Sequence, residues 1–117
     1  MSPAVRAPKE MSPALLAQLS ERFKALAEPV RLQLLAALRA GERSVGALVE
    51  ETGLGQANVS RHLQQLTAAG YVRRRKDGTF AYYALADDDV FRLCDLMCGR
   101  LEAETRERRA SLRRSRV

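Results

Sequence analysis

The sequence predicts a mainly helical domain carrying one short β-hairpin. Three observations lead there. Apolar residues recur at helical spacing in five segments, Asp77-Gly78 separates two strand-like runs, and aromatics are only 5% of the chain with no Trp. A core built mainly from Leu, Val and Ala favours helices over a sandwich or barrel. The 117 residues suffice for one domain, and the balance of 46% apolar to 29% charged residues is that of a globular chain.

The elements follow in order. Residues 1–13 carry three prolines without periodicity and read as a flexible arm. Ser12-Pro13 is an N-cap followed by proline at the first helical position, and Leu15, Leu19, Phe23 and Leu26 carry the first helix to about Ala27. Glu28-Pro29 breaks it and starts a second, with Val30, Leu34, Leu35 and Leu38 as its buried stripe and Gly41 as its stop. Ser44 opens a short third helix through Val45, Leu48 and Val49, ending at Thr52-Gly53. A fourth begins near Gln56, with Val59, Leu63 and Leu66 inward and Gly70 at its close. Two short helices joined by a Gly-bearing turn outline a helix-turn-helix.

The period then changes from helical to alternating. Tyr71–Lys76 and Thr79–Leu85 read as strands with Asp77-Gly78 as a two-residue turn. That turn places Val72 opposite Tyr83, and Arg73 and Arg75 opposite Tyr82 and Phe80, giving one apolar face and one cationic face interleaved with aromatics. Asp87, Asp88 and Asp89 lead a last helix that is apolar at Val90, Phe91, Leu93, Cys94, Leu96, Met97, Cys98 and Leu101. Four helices, a hairpin and a closing helix make a winged helix-turn-helix over residues 14–103, with 104–117 as a basic helix end.

Twenty Lys+Arg against fourteen Asp+Glu leave a net charge of +6, which suits a polyanion binder. No apolar run approaches the roughly 20 residues of a membrane span. Met1–Glu10 lacks the apolar stretch of a signal peptide, so the expectation is a cytoplasmic protein. One His, no glycine-rich phosphate loop and no nucleophile paired with a base leave little for an enzyme to work with.

The blocks Phe23-Lys24-Ala25-Leu26-Ala27-Glu28-Pro29-Val30-Arg31-Leu32, Val59-Ser60-Arg61-His62-Leu63, Gly70-Tyr71-Val72 and Tyr82-Tyr83-Ala84-Leu85 stand in the order found in the ArsR/SmtB repressors. The chain resembles that family from about Leu15 to Leu101. The resemblance implies a homodimer, formed mainly by the first and last helices, that binds an operator in double-stranded DNA and releases it on sensing an inducer. The dimer residues it points to are Leu15, Leu19, Val90, Leu93, Cys94, Met97 and Leu101.

With Val59, Leu63 and Leu66 inward, Gln56, Ala57, Asn58, Ser60, Arg61, Gln64 and Gln65 lie on or near the outer surface of the fourth helix. Gln, Asn and Arg can pair with base edges in the major groove, which makes Gln56, Asn58 and Arg61 the first choices and Ser60 a phosphate ligand. His62 belongs to the same helix and is grouped with this set, in a packing or backbone-contacting role rather than a catalytic or metal one. Arg73, Arg74, Arg75 and Lys76 load the wing for phosphate or minor-groove contact; the competing reading is a solvated hairpin whose charges discourage edge pairing.

Two inducer sites of the family fail residue by residue. Ser44 and Gly46 stand where a Cys-x-Cys pair would bind metal, and the last helix has no histidine for a zinc site. Cys94 and Cys98 remain, one turn apart on one helix face. They admit two readings: a site for a thiophilic metal or metalloid ion or for thiol oxidation, and plain core or dimer packing. The competing functions are a winged-helix module for protein contacts and a repressor without any sensor.

Overall fold

A computed structural model describes residues 11–115, so the expectation of a flexible arm over 1–10 lies outside the described residues. The chain forms two compact units, one ending at Ala86 and one beginning at Asp87.

In the first unit, α1 (Pro13–Leu26) and α2 (Pro29–Leu38) start as their sequences dictate. Ser12 Oγ accepts from the Leu15 N–H at 3.1 Å, a Glu28 carboxylate oxygen accepts from Val30 N–H at 3.3 Å, and each helix has proline in its first turn. The two-residue strand β1 (Arg43–Ser44) leads into α3 (Val45–Thr52), which Ser44 Oγ caps through Ala47 N–H at 3.1 Å. Gly53 ends α3 at φ 73°, a left-handed conformation that glycine adopts without a Cβ penalty. Three residues later α4 (Gln56–Ala68) begins. Its C-terminus closes with Tyr71 N–H on Leu66 O and Gly70 N–H on Thr67 O, both 3.0 Å, the paired bonds of a Schellman motif.

Strands β2 (Val72–Asp77) and β3 (Phe80–Leu85) form the hairpin, and β1 adds to its free side to give the antiparallel order β1-β3-β2. The turn is Gly78-Thr79, not Asp77-Gly78, so Val72 pairs with Leu85, Arg73 with Ala84, Arg75 with Tyr82 and Asp77 with Phe80. The physical reason lies in the loop dihedrals. An Asp-Gly type I′ turn needs positive φ at both central residues, whereas Gly78 alone has it, at 62°, as a type II′ turn requires. Sliding the turn by one residue moves the partner by two, so each side chain keeps its face while changing its neighbour. The face shared with Val72 and Tyr83 also carries Arg74 and Lys76, so cations stand on both faces of the wing.

Leu34, Leu35, Leu38, Leu48, Val59, Leu63 and Leu66 are at most 2% exposed and, with Val72 and Tyr83, form the core that joins α2, α3, α4 and the sheet. Each such aliphatic side chain contributes about 1.5–3 kcal/mol by leaving water. The stripe expected on α1 is buried only at its end, at Leu26 with Ala25; Leu15 is half-buried, and Leu16, Leu19 and Phe23 are exposed.

The second unit is one helix, α5 (Asp89–Ser115), continuous across the 103/104 boundary read from the sequence. Asp87 Oδ1 accepts from Asp89 N–H at 3.0 Å at its start. Val90 and Phe91 are buried; Leu93, Leu96, Met97 and Leu101 are exposed. No helix among the described residues is long and apolar enough to cross a membrane.

Candidate nucleic-acid interface

Helix α4 is strongly two-sided because its sequence is. Val59, Leu63 and Leu66 are fully buried, which turns Gln56, Ala57, Arg61, Gln64 and Gln65 outward, with Asn58 and Ser60 at the margins. Asn58 and Arg61, one turn apart, are already joined: an Arg61 Nη donates to Asn58 Oδ1 at 2.8 Å. That bond holds an amide and a guanidinium side by side on an exposed face, with the remaining Arg61 donors open to an acceptor. No side chain caps the N-terminus of α4 at Gly55. Its first-turn N–H groups therefore add a partial positive charge at the end that carries Gln56.

The wing tip stands beside this end. Thr79, Phe80 and Ala81 of the hairpin line one shallow cleft with Gln56 and Ser60 of α4 and the start of α3. Phe80 is 63% exposed there. The four wing cations are not equivalent. Arg75 lies over the Tyr82 ring at 4.8 Å and donates through Nε and Nη to the two carboxylate oxygens of Glu42 at 3.1 and 2.7 Å. Asp77 stands 3.7 Å away. The forked bond to Arg75 holds the Glu42 carboxyl below its ordinary value, and the same bond raises the Arg75 guanidinium. Arg75 is thus engaged inside the chain, where it ties the wing to the residue before β1. Arg73, Arg74 and Lys76 are exposed with no carboxylate partner among the described residues.

His62 leaves the outward set. It is 7% exposed, and its Nδ1 accepts from Arg31 Nε at 3.1 Å. Desolvation chiefly, then Arg31 and Arg61, hold its pKa below the ordinary 6.5, with Glu28 opposing. Gln65 is exposed, but its side-chain oxygen accepts from Arg31. Sequence reasoning missed both Arg31 and Glu42. A signal for Arg31 was present: Pro29 has no N–H, so the Ala25 carbonyl four residues earlier must find another donor.

The model of the arsR family of bacterial regulatory proteins matches residues 28–74, from the start of α2 to the wing. The chain superposes on the homodimeric winged helix-turn-helix DNA-binding domain of Mycobacterium bovis Mb0332 with TM-score 0.72 and 36% identity, covering 90% of this chain and 94% of that one. It belongs to the ArsR family. This ArsR-family chain is also similar to the antimony-specific transcriptional repressor AntR (TM-score 0.70, 30% identity, 88% of this chain and 99% of that one). It is 44% identical over 84 residues to the HTH-type transcriptional regulator Rv0324 of Mycobacterium tuberculosis, 72% of this chain and 37% of the relative. The first three curated relatives are longer than the matched region, which spans 37%, 54% and 56% of their lengths.

Cys94 and Cys98 lie one turn apart on α5 of this ArsR-family chain, half-buried and exposed respectively, and neither is in a disulfide. Among the described residues no three His, Cys, Asp or Glu side chains gather to hold a metal ion. Thiol sulfur is the donor type that soft, thiophilic ions select.

Proposed function

We propose that this chain is a homodimeric transcriptional repressor that reads an operator with the outer face of α4 and steadies itself on the phosphates with the wing. The observation that carries the reading is the pairing of Asn58 with Arg61 on an exposed helix whose opposite face is fully buried. A helix so anchored presents groups with the hydrogen-bonding pattern of base edges, at the width a major groove admits. Gln56, Ala57, Gln64 and Gln65 extend that surface, Ser60 contacts phosphate at its margin, and Arg73, Arg74 and Lys76 supply the charge neutralisation that gives most non-specific affinity.

The exposed faces Leu16, Leu19 and Phe23 on α1, and Leu93, Leu96, Met97 and Leu101 on α5, are too apolar to remain in water and meet their equivalents in a second copy. Release is triggered at Cys94 and Cys98, the only thiols in the sequence. AntR responds to antimony, which makes antimony(III) the first probe, followed by cadmium(II), mercury(II) and peroxide.

The test is fluorescence anisotropy of the protein on the DNA upstream of its own gene. Arg61→Ala and Asn58→Ala should each cost about 1–3 kcal/mol of specific binding. Operator affinity equal to wild type in both variants rules out α4 as the reading helix. Cys94→Ser and Cys98→Ser should abolish the response to the thiophilic probes, and a response that survives both removes the thiols from sensing.

A further inference from the structure

One guanidinium joins three helices of the first unit. Arg31 stands on α2, two residues after Pro29, half-buried. Its Nε donates to His62 Nδ1 on α4 at 3.1 Å, one Nη donates to the Ala25 carbonyl in the last turn of α1 at 3.3 Å, and the other donates to the Gln65 side-chain oxygen on α4. Each partner has a local reason to need it. A helical carbonyl accepts from the N–H four residues on, and four residues after Ala25 is Pro29, which has none. A buried imidazole must also find a partner for its ring nitrogens. A guanidinium can only donate, so Nδ1 accepts, and the ring is neutral with its proton on Nε2.

We propose that Arg31 is a positioning residue for DNA reading: by capping α1 and gripping α4 at two points one turn apart, it sets the orientation in which Arg61 and Asn58 meet the bases. The inference rests on the DNA-reading function proposed above. Gln65 is one turn from Arg61, so the grip lies beside the reading pair rather than at the far end of the helix. A lysine cannot replace Arg31, because one ammonium cannot reach three acceptors in a fixed planar fork.

The grip holds in one protonation state only. A second proton on His62 would turn Nδ1 into a donor facing a donor and set two cations together. The charged groups around it are Arg31 and Glu28 from α2 and its cap, and Arg61 from α4. On the α1 side, Lys24 and Glu21 border the Arg31–Gln65 cleft and pair with each other at 3.1 Å. Burial and two arginines outweigh the one carboxylate, which keeps the ring neutral at physiological pH. Because the folded value lies below the ordinary one, the grip is complete above pH 6.5 and is lost as pH falls through the folded value.

The experiment measures operator anisotropy across a salt series and a pH series for wild type, Arg31→Ala, Arg31→Lys and His62→Asn, with thermal melts of each. Asn places an acceptor where Nδ1 was and does not titrate. At about pH 7.5 both Arg31 variants should lose about tenfold or more in affinity with the salt slope unchanged, since a lost phosphate contact would lower it by about 1. His62→Asn should bind within about threefold of wild type at that pH, and should hold its affinity as the pH is lowered below 6.5 for as long as both proteins stay folded, while wild type weakens as the pH falls through the lowered His62 value. Wild-type affinity in Arg31→Ala, full rescue by Arg31→Lys, a salt slope reduced by about 1, or a His62→Asn profile that tracks wild type each overturns the proposal. Should Arg31→Ala lose its cooperative melt, the pH comparison of wild type with His62→Asn decides alone. Wild type that binds no DNA sinks the repressor reading and this inference together; wild type that binds while the variants match it sinks this inference only.

Discussion

Helices α4 and α5 solve the burial problem in opposite ways. On α4 the apolar residues Val59, Leu63 and Leu66 are fully covered within the chain, and what remains outside is polar. On α5 only Val90 and Phe91 are buried; Leu96 is 75% exposed, Met97 56% and Leu101 55%. The first helix is finished as a packed element, so its outer groups are free for a polar ligand such as a duplex. The second is unfinished within one chain, and its surplus apolar surface asks for another protein surface. The two helices thus differ in what they leave exposed: polar side chains on α4 and apolar ones on α5.

The sharpest way to break this contrast is at the core of α4. Leu63→Ala should lower folding stability by about 2–5 kcal/mol, read as a shift of the urea midpoint, because the side chain is fully enclosed. The matching change on α5, Leu96→Ala, should leave monomer stability within about 0.5 kcal/mol and instead weaken self-association, read by sedimentation. If Leu96→Ala destabilises as much as Leu63→Ala, α5 is a buried element and the contrast fails. Next in size, Arg73→Ala and Arg74→Ala should weaken binding about equally on operator and random DNA, each lowering the salt slope by about 1. Arg75→Ala should leave that slope almost unchanged, since its charge is already engaged by Glu42. The smallest effect is expected of Glu42→Gln. The Glu42 carboxyl is held below 4.5, so its pair contributes stability above pH 4.5 that is lost as pH falls through the lowered value. Its exposure to solvent and salt keeps that contribution small, and a flat difference in melting temperature between wild type and Glu42→Gln across that window would show that the pair does nothing.

Much of this molecule follows from local rules. The N-caps Ser12 and Ser44, the prolines that open α1 and α2, and the left-handed Gly53 act over a few residues, so their consequences are visible in the chain itself. The division of α4 into a packed and an outer face follows from spacing; in the wing, parity puts Arg74 and Lys76 on the Val72 side, the face expected to be apolar. Distance in sequence is what hid the remainder. The turn of the hairpin slid by one residue because loop dihedrals, not strand pattern, choose between neighbouring registers. Strand β1 is two residues long and exists only because β3 offers it an edge, so it has no period to detect. The bonds of Arg31 to residues 31 and 34 positions away, and of Arg75 to one 33 positions away, depend on which helices and strands come together. A side chain's identity states what it can donate or accept; which partner it meets is a property of packing, and packing is decided by the whole chain at once.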